Sequence, residues 1–303
     1  MQKRTIRDKP VDICFVLDAT ESTQSVFTGM IDQVYNLAFD LRTKNRKANF
    51  YYGAVIYRDP VDWRPPPPSS EMDADMKREF MEYEANEKAK RIQRLKDKGL
   101  YDEELEAEKE ENAKHYDREK YPFNQNVPIP FVDDIEELVN ELSKVECGGG
   151  NDDPEDWVGA LQTAFTLNWR DGSKKCLVWI SDANAHGEKF CGYDDHHNDQ
   201  VAEMEPLIRR LVEERFYFVG INVIKKDQGC EITLREIKTM YENFCAEIYT
   251  DPAVHPPKFT VEKFEPVYDE DIFGEDGWPA DVLEKFMKTI YDTLAKMGEV
   301  FDD

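Results

Sequence analysis

Apolar positions along the chain follow two alternating rules. VDICFVLD (11–18) is a nearly continuous apolar, β-branched run that ends in an acid, as expected of a strand covered on both faces of a parallel sheet. Over 22–42 the apolar residues Val26, Met30, Val34, Leu37 and Leu41 recur every three or four positions, which predicts a helix with one buried stripe. NFYYGAVIYRD (49–59) predicts the next strand. Further on, DDIEELVNELSKV (133–145) and the segment 156–167, opened by Pro154, predict helices. KCLVWISDA (175–183) and FYFVGINVI (216–224) predict strands, VAEMEPLIRRLVEE (201–214) and ITLREIKTMYENF (232–244) helices, and AEIYT (246–250) a short last strand. Strands that alternate with amphipathic helices build right-handed βαβ units. The expected class is α/β: a doubly wound, mostly parallel central sheet with helices on both faces, Rossmann-like in outline.

One stretch departs from this rhythm. After Asp59 comes a proline run, and then 71–120 holds 17 acids and 12 bases with a single glycine, Gly99. Met72, Met76, Phe80 and Tyr83, and then Tyr101 and Leu105, keep helical spacing, so a charged helix–Gly–helix hairpin, coiled-coil-like, is predicted there. Its thin apolar stripe suits a solvated insertion held by i,i+4 ion pairs, or an arm that docks a partner. YPFNQNVPIPF (121–131) reads as an extended connector back to the body. The organisation expected is therefore an extension over 1–10, a domain over 11–250 with an insertion over 60–130, and an extension over 251–303. Within the last, FTVEKFEPVY is a candidate edge strand, and Val282, Phe286, Ile290, Leu294 and Met297 mark a helix from about Pro279.

Charge narrows the partners. With 39 Lys+Arg against 64 Asp+Glu the net charge is −25, so no basic field exists to draw nucleic acid or anionic membrane. The 36 aromatic residues (17 Phe, 14 Tyr, 5 Trp) argue for a packed core. No run of about 18 uncharged apolar residues exists to span a membrane, and no signal-peptide apolar stretch follows the basic MQKRTIRDKPVD. Six scattered cysteines read as reduced thiols, so the expected location is cytoplasmic.

Ligands of open α/β sheets bind beyond the carboxyl ends of the strands, at the topological switch point. After the first strand stands D-A-T-E-S, which places Asp18, Thr20 and Ser22 on one turn. After the strand 175–181 stands Asp182. Before the helix at 156 stands GGGNDDPED, with Asn151, Asp152 and Asp153. Oxygen ligands from several loops suit a hard divalent cation such as Mg²⁺. Taken singly, Asp18 and Ser22 also suit helix capping, and Asp59 in Y-R-D-P also suits a turn before Pro60. HGEKFCGYDDHHND carries His186, His196 and His197 near Cys191, in a spacing that matches no compact zinc pattern. His186 is expected behind the metal ligands.

VDICFVLDATEST followed by a βαβ pattern resembles the von Willebrand factor type A domain and its metal-ion-dependent adhesion site, D-x-S-x-S, with Thr20 in place of the first serine. YYGAVIYRDPVD, GGGNDDPEDWVGAL and WISDANAHGEKF resemble the subset of such domains found in alpha-kinase-related proteins. The resemblance implies that Thr20 and Ser22 ligate Mg²⁺ (or Mn²⁺ or Ca²⁺), and that Asp18 and Asp182 hold coordinated water. A vacant position then accepts an acidic residue of a protein partner. The family's remaining ligand, a glycine-loop threonine, has no counterpart here; Asn151, Asp152 or Asp153 occupies that region. Asp59, Asn151 and His186 are expected to face the ligand or support the site.

The expected function is a non-catalytic, metal-dependent protein-interaction module whose partner and oligomeric state the residues do not specify. A second reading is a metal-assisted hydrolase or phosphotransferase with His186 as general base, although the chain has no Walker loop, kinase glycine loop or G-x-S-x-G elbow. A third is a metal-free scaffold that binds through the 71–120 arm.

Overall fold

The computed structural model describes residues 9–44, 48–59, 116–117, 119–122, 125–148, 154–193, 195, 199–224 and 229–264, with scattered helical positions between 78 and 96. The chain order is β1 (Lys9–Asp18), a 3₁₀ turn (Glu21–Thr23), α1 (Gln24–Lys44), β2 (Ala48–Tyr57), β3 (Val127–Val132), α2 (Ile135–Leu142) and α3 (Trp157–Ala164). It continues through β4 (Lys174–Ser181), the short α4 (Glu188–Cys191), α5 (Asp199–Glu213), β5 (Phe216–Val223), α6 (Glu231–Ile248) and β6 (Phe259–Phe264). The strands form one sheet in the order β3-β2-β1-β4-β5-β6. All neighbours are parallel except β2 and β3.

The unbroken apolar run of β1 has its reason in this order. Ile13, Phe15 and Leu17 are buried in the core beneath α1 and α2, whereas Cys14 and Val16 are buried in the core beneath α3, α5 and α6. A central strand covered on both faces needs apolar residues at every position. In α1 the stripe is buried at Met30, Val34 and Leu41. An aromatic cluster in the second core stacks Trp157 on Trp179 at 4.3 Å, with the Tyr57 ring tilted 5.4 Å from Trp179, so the strand ends that carry the site stand on packed rings.

Four expectations change. AEIYT does not form a strand: α6 runs to Ile248, because Phe244 and Ile248, four residues apart, continue the helix face that buries Leu234, Ile237 and Tyr241. The last strand is β6, the expected FTVEKF edge, so the sheet extends beyond residue 250. The connector after the insertion contains β3, an antiparallel edge in which Pro128 and Pro130 lack the N–H that would invite another strand. Pro154 stands outside α3, whose N-cap is Asp156. The Gly99 hairpin and the helix from Pro279 lie outside the described residues, apart from the scattered positions between 78 and 96.

Candidate functional site at the carboxyl edge of the sheet

β1 and β4 are neighbours, yet the chain leaves β1 toward β2 on one side and reaches β4 from the other. Their carboxyl ends therefore diverge into separate loops and leave a crevice between them. Asp18 closes β1, and Asp182 follows the last residue of β4. The chain turns sharply after Asp18: Thr23 N–H donates to Thr20 O (3.1 Å), and the Thr23 hydroxyl donates to the backbone carbonyls of Asp18 (3.0 Å) and Thr20 (2.9 Å). This turn swings Thr20 and Ser22 back over the strand end.

The side-chain oxygens then form a continuous string. Thr20 N–H and O–H both donate to Asp18 Oδ1, at 3.0 and 2.7 Å. Thr20 Oγ1 lies 3.1 Å from Ser22 Oγ, and Ser22 O–H donates to Asp182 Oδ1 at 3.2 Å. Residues 160 positions apart thus share one hydrogen-bonded cup. Asp18 and Thr20 are almost completely buried, Asp182 is buried, and Ser22 is exposed, so the cup opens toward solvent at Ser22. Asp18 Oδ2 accepts from the Ser181 hydroxyl (3.1 Å) and the Tyr57 hydroxyl (3.3 Å). Burial, and then the adjacent Asp18 carboxylate, push the Tyr57 hydroxyl well above its ordinary pKa, which keeps it a donor.

Behind the cup, Arg58 is completely buried and its guanidinium serves backbone carbonyls. Nε donates to Ala19 O (3.1 Å), one terminal nitrogen to Glu146 O (2.6 Å) and the other to Pro122 O (3.4 Å). One side chain therefore joins the Asp18 turn, the segment returning from the insertion and the approach to the glycine-rich loop. Burial pulls its pKa down to about 10, so it stays cationic at neutral pH. Asn126 accepts from Arg58 N–H (3.1 Å) and donates to Asp156 Oδ2 (2.8 Å), while Asp156 Oδ1 caps α3 through Gly159 N–H (2.8 Å). A Cβ at Gly159 would lie 2.0 Å from Asp156 Oδ2, so only glycine fits there. Burial raises the Asp156 carboxyl, partly offset by these donors.

Asp59 and His186 meet, and the ring between them bridges to a third residue. His186 Nε2 lies 3.2 Å from Asp59 Oδ2, and Nδ1 lies 2.9 Å from Asp195 Oδ2, which also accepts Gly187 N–H (2.8 Å). His186 is fully buried. The Asp182 loop is pinned further by Trp157 Nε1–H on Ala183 O (3.2 Å) and Glu155 N–H on Asn184 O (2.8 Å).

Of the residues expected from the sequence, Asp18, Thr20, Ser22 and Asp182 come together, and Asp59 and His186 pair behind the loops. Asn151, Asp152, Asp153, His196 and His197 lie outside the described residues. Among the described residues, no three His, Cys, Asp or Glu side chains gather as a metal group; the cup consists of two carboxylates and two hydroxyls. Sequence reasoning missed Tyr57, Ser181, Asn126 and Asp195 and passed over Arg58. Only Ser181, directly before Asp182, and Arg58, directly before Asp59, carried a positional signal.

No family-level sequence model matches the chain. The alpha-protein kinase vwkA of Dictyostelium discoideum is 25% identical over 112 residues, which are 35% of this chain and 18% of that kinase. The VWA domain of SpRpn10 overlays 86% of this chain on 90% of its own, with 8% identity and a TM-score of 0.44. The pilus adhesin SpaC of Lactobacillus rhamnosus GG overlays 94% of this chain on 30% of its own, with 10% identity and a TM-score of 0.43. The strand order, the D-x-T-x-S turn at the switch point and the likeness to the kinase agree: the chain forms a von Willebrand factor type A-like domain.

Proposed function

We propose that this domain is a non-catalytic module that binds a protein partner through a divalent cation, Mg²⁺ by preference, held by Asp18, Thr20, Ser22 and Asp182. The observation that carries the reading is the oxygen string from Asp18 Oδ1 to Asp182 Oδ1 across the two hydroxyls. Its donor set is all oxygen, which fits a hard cation that keeps some water. Once bound, the ion supplies a positive, exchangeable position for a carboxylate oxygen of the partner. Thr20 and Ser22 present lone pairs to it, and Ser181 and Tyr57 orient Asp18. A net charge of −25 makes cation capture favourable before an acidic partner arrives.

The buried state of His186 weighs against the hydrolase reading. Both ring nitrogens are engaged by carboxylates, and a general base must reach the proton that it abstracts. The test is thermal unfolding with and without Mg²⁺. A ligand held only by the folded state raises the melting temperature, so Mg²⁺ is expected to stabilise the native chain and to have no effect on Asp18→Ala. Equal melting temperatures with Mg²⁺ and with EDTA for the native chain would overturn the reading.

A further inference from the structure

A cleft of about 350 Å³ lies beside the cup and shares Asp182 with it as a wall. It runs from the end of β4 to the end of β5 and the first turn of α6, and its lining includes Asn184, Asn222, Ile232 and Arg235. Its volume falls in the range of ligand sites. Its polar lining combines the acids Asp182 and Glu231 with donors on Asn184, Asn222 and Arg235. Asn222 is 1% exposed; its carbonyl oxygen accepts Cys230 N–H at 2.8 Å and the Cys230 thiol at 3.4 Å. That leaves its NH₂ group without a hydrogen-bond partner among the described residues.

Asn184 repeats the pattern: its carbonyl oxygen accepts Thr233 N–H and O–H, both at 3.1 Å, and its NH₂ group is likewise unmatched. Among the described residues, the Arg235 guanidinium meets only Glu236, through Nε at 3.2 Å, on a side chain 64% exposed. Such a surface pair is worth little and exchanges readily. Glu231, the other acid of the lining, pairs with Lys263 at 2.9 Å in an exposed contact of the same weak kind. The N-terminus of the 18-residue α6, whose N-cap Cys230 makes no side-chain cap bond, adds its positive dipole end. Two amides and a guanidinium therefore face a cavity with donors and await an acceptor.

We propose that this cleft is a second subsite of the recognition face and takes a carboxylate of the partner that lies close in sequence to the acidic residue at the cup. The proposal rests on the metal reading above, because the ion must first offset Asp182 on the shared wall. The domain then reads a pair of acids and not a single one: the first by the cation, the second by Arg235, Asn184 and Asn222.

The test uses the full chain in Mg²⁺ and synthetic peptides that carry either one aspartate or two, with the two separated by none to several glycines. At the best spacing the two-acid peptide is expected to bind about tenfold tighter, the scale of one charge-assisted hydrogen bond. Arg235→Glu is expected to erase that gain while leaving the one-acid affinity and the melting temperature unchanged. Binding of one-acid and two-acid peptides with equal affinity at every spacing would overturn the subsite and leave the metal reading standing. Failure of any peptide to bind in Mg²⁺ would remove both.

Discussion

The two ends of β1 each bury an acid, and they treat it in opposite ways. At the amino end, Asp12 is fully buried and held by one cation: Arg170 donates from Nε at 2.6 Å and from its backbone N–H at 2.8 Å. Its guanidinium also reaches Val11 O and Asn49 O and covers the Tyr51 ring at 3.7 Å. At the carboxyl end, the donors on Asp18 include Thr20, Ser181 and Tyr57, all neutral groups. The nearby guanidinium of Arg58 donates to three backbone carbonyls and attracts Asp18 through space. A buried acid matched by its own arginine is a closed structural lock. A buried acid that accepts from hydroxyls at a solvent-facing crevice is, on the function proposed above, the end that takes a cation from outside. The same residue type on the same strand thus has two roles, and what distinguishes them is which donors the tertiary fold delivers.

The sharpest way to break this contrast is at the lock. Arg170→Met leaves Asp12 as an uncompensated buried charge and is expected to cost about 3–5 kcal/mol in urea unfolding. The increment that Mg²⁺ adds should survive, because the lock lies at the opposite end of the strand. The converse experiment is Asp18→Ala, which should abolish an Mg²⁺ stabilisation of about 2.7 kcal/mol at a hundredfold excess over Kd. Loss of the Mg²⁺ increment in Arg170→Met would show that the two ends are not independent.

His186→Leu tests the support behind the cup. It leaves Asp59 and Asp195 without the ring nitrogens, at an expected cost of about 1–3 kcal/mol in urea unfolding. The smallest effect is expected at Glu141, where the segment returning from the insertion meets α2. Lys120, Lys144 and Tyr121 hold this carboxyl at about 2, against an ordinary 4.5. Because the folded-state pKa is depressed, the stability it contributes is present above the ordinary value and is lost as pH falls through about 2. Glu141→Gln should flatten that part of an acid-unfolding curve by less than about 1 kcal/mol, and added salt should shrink the difference further, since the partners are partly exposed.

Much of the architecture is legible from local pattern. The runs at 11–17, 175–181 and 216–223 have no polar interruption apart from Asp12, Lys175, Ser181 and Asn222, and each became a strand with helices on both sides. Two of those interruptions carry tertiary meaning: Asp12 marks the lock and Asn222 the cleft. Local pattern failed where a short segment fits two periods. AEIYT alternates like a strand, yet its Ile248 also extends the Phe244 stripe, and packing on the second core decided for helix. VPIPFV looked like a linker because prolines cannot sit within a central strand; at the edge beside β2 they are tolerated.

The sequence by itself determined an α/β body with acids and hydroxyls at the carboxyl ends of β1 and β4, because strand burial and turn chemistry are written in residues adjacent along the chain. Only the tertiary structure decided that Ser22 meets Asp182, that Arg58 gathers three loops, that His186 lies between Asp59 and Asp195, and that two asparagine amides face one cleft. Those contacts join loops far apart along the chain. Their partners depend on which strand ends lie side by side, and spacing along the sequence carries no record of that.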